Sequence, residues 1–215
     1  MTISTQGADA ALAFTHRFEP APRPGAAPLL LLHGTGGDEG DLLSLGRALS
    51  PNSALLSPRG KVLEGGRPRF FRRLAEGVFD HEDVKRRANE LADFVGDARA
   101  RYGLAAPVAV GFSNGANIAA AMLLLRPEVL SGAVLLRAMV PLDQAPEADL
   151  AGVPVLMLSG AMDPIVPADN VAALARMLSA NGAAVEQVTV PAGHGLTQSD
   201  LATARNWIGA LRGTR

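Results

Sequence analysis

Gly111-Phe112-Ser113-Asn114-Gly115 is the stretch that most restricts how this chain can fold. It joins the apolar run Pro107-Val108-Ala109-Val110 directly to a small-residue, helix-forming run over residues 116–125. A serine where a strand turns abruptly into a helix must adopt a strained backbone conformation, and side chains two positions before and after it would collide across the turn. Glycine at 111 and 115 removes the collision. The pattern demands a buried strand, a sharp turn and a helix in immediate succession, with the serine hydroxyl presented as an accessible nucleophile.

The rest of the chain supplies the setting such a turn needs. Short β-type runs alternate with helical patterns from end to end, the arrangement that builds a mostly parallel sheet covered on both faces by helices. The expected class is α/β, in a single domain over residues 1–215. Strands are expected at 12–18, 29–33, 54–57, 108–112, 133–137, 155–159 and 185–190. Most are continuous apolar runs, as strands buried on both faces should be. Val84, Ala88, Leu91, Val95, Ala98 and Tyr102 lay one apolar stripe along a long helix. A second helix carries Val171, Leu174, Ala175 and Leu178 and stops at Asn181-Gly182. A third carries Leu201, Ala204, Ile208 and Leu211, anchored by Trp207. The proline-rich stretch 20–28 reads as a stiff surface connection. Residues 59–80 form a long connection without clear periodicity, a kind that tends to be functional in a compact domain, and are a candidate substrate-gating loop.

Composition removes several function classes. A formal net charge of −1 supplies no general field for nucleic acid or anionic lipid, so neither is an expected partner. The absence of cysteine excludes disulfides, thiolate zinc sites, iron–sulfur clusters and a cysteine nucleophile. No basic leader precedes an apolar core at the N-terminus, and no window approaches the apolar length of a membrane span; a cytoplasmic location is expected. The partner that remains is a small molecule, with a homodimer left open.

A serine is a poor nucleophile until a base takes its proton, and that base must be held in the right tautomer by an acid. On a sheet of this kind the partners follow in the order serine, acid, histidine, each just past the carboxyl end of a strand. Asp163 follows the strand at 155–159, and His194, between Gly193 and Gly195, follows the strand at 185–190. The rival histidines have blander readings: His16 lies on the first strand, His81 at a helix start and His33 in a glycine loop. Asp143 and Asp149 read as solvated, and Asp169 as a favourable charge at a helix N-terminus. The tetrahedral intermediate needs two backbone donors. Asn114, after the nucleophile, supplies one, and Thr35 in His33-Gly34-Thr35-Gly36-Gly37 the other, with Gly34 letting the main chain approach the substrate. That glycine loop could instead cradle a dinucleotide phosphate, but Glu39 occupies the position of the third glycine and the following strand ends in Ser57-Pro58 rather than in an acid.

Taken together, His33-Gly-Thr-Gly-Gly-Asp-Glu, Arg67-Pro-Arg-Phe-Phe-Arg, Gly111-Phe-Ser-Asn-Gly and Asp163-Pro-Ile-Val-Pro resemble the small bacterial carboxylesterases of the phospholipase/carboxylesterase family, in the α/β-hydrolase superfamily. The resemblance spans nearly the whole chain after Leu29. It implies a serine esterase acting on a small-molecule ester without cofactor or metal, with Ser113, Asp163 and His194 as triad and Thr35 and Asn114 as oxyanion donors. The acyl-protein thioesterase relatives usually carry glutamine after the serine, where this chain has Asn114. Thioesterase or lysophospholipase-type activity on the same triad is an alternative, as is a non-catalytic ligand-binding protein on the same fold. Phe70 and Phe71 are candidate walls of an acyl pocket, with a neighbouring arginine meeting a substrate carboxylate; the competing reading is a solvated arginine run anchored by core aromatics. Met139 and Met162 are further candidates for the acyl site.

Overall fold

The computed structural model describes residues 12–144 and 146–211. Their elements run β1 (His16–Glu19), β2 (Leu29–Leu32), α1 (Leu43–Leu49), β3 (Leu55–Pro58), β4 (Val62–Glu64), β5 (Arg67–Arg69), β6 (Arg73–Ala75), β7 (Val78–Phe79), α2 (His81–Tyr102) and β8 (Val108–Phe112). There follow α3 (Asn114–Leu125), β9 (Gly132–Leu136), β10 (Pro154–Gly160), α4 (Ala168–Ala180), β11 (Ala184–Val190) and α5 (Gln198–Ala210). Seven strands form one sheet in the order β1-β3-β2-β8-β9-β10-β11, parallel throughout except for β1, which pairs antiparallel with β3.

The continuous apolar strands are explained by what covers them. Leu30 and Leu32 of β2 point with Leu135 and Met157 into the core beneath α2, α3 and α4, while Leu29 and Leu31 point with Val134 and Leu158 toward α1 and α5. Successive residues face opposite sides of a strand, so a sheet buried on both faces needs an apolar residue at every position. Helix α3 is buried along nearly its whole length, and its alanines and glycine let it lie close on β8, β9 and α2. Helix α2 opens on Asp80, whose carboxylate accepts the Asp83 N–H, and closes on Gly103 at φ +65°. No helix among the described residues is long and apolar enough to cross a membrane.

Three elements depart from the sequence reading. The first strand begins at His16 rather than at residue 12, because its partner β3 ends at Pro58; Phe14 instead buries its ring against Phe94, centroids 5.0 Å apart. Helix α1 was not expected: it has seven residues, no side-chain cap and a central Gly46, none of which marks a helix in sequence. Residues 59–80 hold two hairpins, β4–β5 and β6–β7. The first turns on Gly65-Gly66, both at positive φ, the two-residue connection that matches strand twist.

The order of the strands reverses direction beside β2. After β2 it adds β3 on one side, then crosses by the hairpins and α2 to place β8 on the other. The carboxyl ends of β2 and β8 diverge in their onward connections there, which opens a crevice at the sheet edge.

Candidate active site

Ser113 follows β8 at φ 52° and ψ −114°, an unfavourable conformation for a side chain bearing a Cβ. Surrounding contacts hold it there. A Cβ at Gly111 would run into the carbonyl group of Gly115 across the turn, as the sequence implies. At Gly115 the obstacle is different: a Cβ would strike the Leu32 carbonyl and lie 2.6 Å from the His33 oxygen, so this glycine lets α3 dock against the end of β2. The reading of Gly34 also changes. Its open side is filled by the Phe112 ring, 2.8 Å from where a Cβ would sit, so its small size serves packing of the loop on the elbow.

The structure brings Ser113, His194 and Asp163 together from three loops. The Ser113 hydroxyl lies 3.0 Å from His194 Nε2, and His194 Nδ1 donates to Asp163 Oδ2 at 2.8 Å. Asp163 is buried, and its other oxygen accepts the N–H groups of Ile165 at 2.8 Å and Val166 at 3.2 Å. A carboxylate so held keeps its position and fixes the imidazole tautomer with Nε2 free to accept. His194 is partly exposed beside the Phe112 ring.

The rival groups have structural partners. His16 bridges the Phe14 carbonyl and the Tyr102 hydroxyl, and His81 meets the Pro141 carbonyl. His33 is buried; its Nδ1 donates to Gly34 O and its Nε2 accepts the Gly60 N–H. Burial, partly opposed by that bond to Gly34 and by nearby acids, holds its pKa below the ordinary histidine value. Asp143, Asp149 and Asp169 each accept a nearby backbone N–H in exposed positions.

Thr35 and Asn114 both line the cleft in front of Ser113. In the same loop the Gly36 N–H is bonded to Pro68 O and that of Gly37 to Gly34 O. The Asn114 side chain faces the hairpin segment, its Oδ1 accepting the Phe70 N–H at 2.7 Å. The cleft has a volume of about 360 Å³. Its apolar lining is Phe79, Phe112, Met139 and Ile165, and its polar wall is Arg67, Arg69, Arg73 and Glu76. Of the pocket candidates, Met139 lines this cleft, whereas Phe70, Phe71 and Met162 do not. Phe70 packs on His33, and Phe71 is fully buried edge-on to Phe79, so both serve the core. Met162 points outward and is 67% exposed, whereas the next side chain, that of Asp163, turns inward to His194. Among the described residues no three histidine, aspartate or glutamate side chains converge to hold a metal ion.

Sequence reasoning missed Arg137 and Asp200. Arg137, at φ 59° directly after β9, uses all five of its N–H groups. Nε donates to Gly193 O, Nη1 to Leu158 O and Asp200 Oδ1, and Nη2 to Gly195 O and Asp200 Oδ2. The guanidinium thus grips the carbonyls on both sides of His194. Asp200 also accepts from Thr197 in a capping box at the start of α5. Burial alone would raise the Asp200 pKa; the bonds from Arg137 and Thr197 outweigh it and hold the carboxyl below the ordinary aspartate value. The Thr197-x-x-Asp200 spacing was the one available signal, and it speaks of a helix start rather than of the ion pair.

Known proteins match this chain along most of its length. A model of the phospholipase/carboxylesterase family matches residues 16–211. A putative hydrolase, MhqD, of Bacillus subtilis (strain 168) is 47% identical over 181 residues, covering 83% of this chain and 90% of that protein. The crystal structure of the Bacillus cereus carboxylesterase superposes with a TM-score of 0.90 at 42% identity, over 92% of this chain and 94% of that one. A carboxylesterase from Mesorhizobium loti gives a TM-score of 0.88 at 35% identity, over 92% and 95%.

Proposed function

The chain belongs to the phospholipase/carboxylesterase family of α/β-hydrolase fold, and from that premise we propose that it is a serine esterase hydrolysing small carboxylic esters through an acyl-enzyme. The observation that carries the reading is the unbroken relay from the Ser113 hydroxyl through His194 to Asp163, at 3.0 and 2.8 Å. His194 Nε2 takes the serine proton as Oγ attacks the ester carbonyl, and Asp163 stabilises the imidazolium that forms. The same proton passes to the leaving alcohol; water, deprotonated in turn by His194, then releases the acid.

Charge on the tetrahedral oxygen would be met by two backbone donors. Asn114 N–H stands at the first position of α3, where helical N–H groups lack helical acceptors and the helix dipole favours an anion. Thr35 N–H is the donor of the facing loop, since the Gly36 and Gly37 N–H groups are bonded elsewhere. A cleft of about 360 Å³ lies at the small end of ligand sites, which supports short substrates over long acyl chains.

A fluorophosphonate should form one adduct, on Ser113, and Ser113→Ala should lower kcat on 4-nitrophenyl acetate by on the order of 10⁶-fold with the fold intact. Substantial activity remaining in that variant would remove the mechanism. Matched oxygen esters and thioesters compared by kcat/KM decide between esterase and thioesterase chemistry.

A further inference from the structure

The polar wall of the cleft carries more positive charge than the ester chemistry requires. Arg67, Arg69 and Arg73 line it, against the carboxylates of Glu64 and Glu76. Glu64 is engaged with Arg73 through bonds of 2.7 to 3.1 Å and lies 3.3 Å from Arg69, while Glu76 lies 3.7 Å from Arg73. The Arg67 side chain makes no hydrogen bond or ion pair among the described residues, and senses Glu64, its cross-strand neighbour, only at longer range. Three guanidinium groups against two carboxylates leave one positive charge uncompensated on this wall. The charge of Asp163 does not cancel it, because that carboxylate lies behind the imidazole and is taken up by the N–H groups of Ile165 and Val166.

The geometry ties this charge to the reacting centre. Arg67 lays its aliphatic stem over Gly36, its Cδ 3.4 Å from where a Cβ would stand, so its head lies at the cleft beside the loop of Thr35. Arg69 is 3% exposed and fixed by Nη1 to Thr35 Oγ1 at 2.8 Å and by Nε to Phe71 O at 3.2 Å. Burial and then the like charge of Arg73 push its pKa down, the behaviour of a cation short of counter-charge. An anion brought into the cleft would relieve that shortage.

We propose, resting on the esterase reading, that the preferred substrates are esters carrying a carboxylate a few bonds from the scissile carbonyl, bound by Arg67 with Arg69 behind it. The apolar lining of Phe79, Met139 and Ile165 then receives the uncharged part of the same small molecule. Two sources offer this chemistry, a half-ester of a dicarboxylic acid and an acyl ester of a hydroxy acid, and they place the carboxylate on opposite sides of the ester bond.

The test measures kcat/KM on matched pairs: monomethyl glutarate against methyl butyrate, and 3-acetoxypropionate against propyl acetate. At least one charged ester should exceed its neutral partner by about tenfold, the worth of a charge-assisted hydrogen bond. Arg67→Gln should bring that ratio close to one, chiefly through KM, and 0.5 M salt should reduce it in the wild type. Reading the ratio within each protein cancels any general loss of activity in the variant. The pair that shows the preference identifies the side of the ester that bears the anion. Neutral esters cleaved as well as or better than both charged ones would overturn this proposal while leaving the esterase reading in place, as would a ratio that Arg67→Gln does not change. If no ester is cleaved and no fluorophosphonate adduct forms on Ser113, both fall.

Discussion

Replacing Asp200 by alanine removes the one carboxylate that, among the described residues, is bonded to the Arg137 guanidinium, which is 0% exposed. Arg137 would keep three bonds, all to neutral carbonyls of residues 158, 193 and 195, and lose both charge-assisted bonds of 2.8 Å. A buried charge stripped of its partner typically costs about 3 to 5 kcal/mol. With about 2.1 cal/mol/K of unfolding entropy per residue, a domain of this length loses about 2 °C of Tm per kcal/mol, so the expected fall is about 7 to 11 °C. Thr197→Ala removes the cap but spares the ion pair, and should cost only about 1 kcal/mol, which isolates the capping share. The double change Arg137→Met with Asp200→Leu should recover much of the loss, because no charge is then left unpaired. The loss also has a functional side: with its clamp loosened, the His194 loop should wander, lowering kcat more than it alters KM. Thermal denaturation of the four proteins and steady-state kinetics on one ester are the assays. A Tm for Asp200→Ala within about 1 °C of wild type would refute the reasoning.

Asp163→Asn should lower kcat by about 10⁴-fold at unchanged Tm, since the geometry survives but the tautomer and the counter-charge do not; a loss below tenfold on ester hydrolysis would contradict this. Gly115→Ala should cost more than about 4 kcal/mol, because the added methyl meets rigid carbonyls of β2, whereas Gly96→Ala, on the exposed face of α2 with nothing within 4 Å, should gain about 0.5 to 1 kcal/mol. Urea midpoints that move equally for the two would refute that contrast. His33 has its pKa lowered by burial, so the unfolded chain binds its proton more readily. Its contribution is complete above about pH 6.5 and is lost as pH falls from there toward the lowered folded value. Denaturation midpoints between pH 8 and 5 should therefore fall less steeply in His33→Gln than in wild type, and superimposable profiles would count against it.

The inner strands of the sheet could be read from the sequence because burial on both faces leaves them as unbroken apolar runs; Asp163 could be located because it follows one of them, and His194 because it follows the alternating edge strand β11. The cleft walls could not. At and just beyond the end of β5 neighbouring side chains take different directions, Arg69 to the cleft, Phe70 to His33 and Phe71 to Phe79; a run of arginines and phenylalanines does not state which residue faces which way. Phe79 and Ile165 reach the cleft from two separate segments, and only the folded chain shows them lining one space. Arg137 was hidden for a similar reason. Its partners lie at positions 158, 193, 195 and 200, and an arginine after a strand looks like any surface cation until the α5 start folds over it.

Ser113, His194, Asp163 and the loops of Thr35 and Asn114 belong to the carboxyl edge of the sheet, whereas Arg67, Arg69, Arg73 and Phe79 arrive on one excursion between β3 and α2. Four bonds stitch that excursion to the reactive machinery: Gly36 to Pro68, Gly60 to His33, Phe70 to Asn114 and Arg69 to Thr35. Three of the four use main-chain groups of the excursion and Arg67 takes part in none of them, so that side chain can be exchanged while the stitching endures. On the reading proposed above, substrate preference can be altered at Arg67 without retuning the reaction itself.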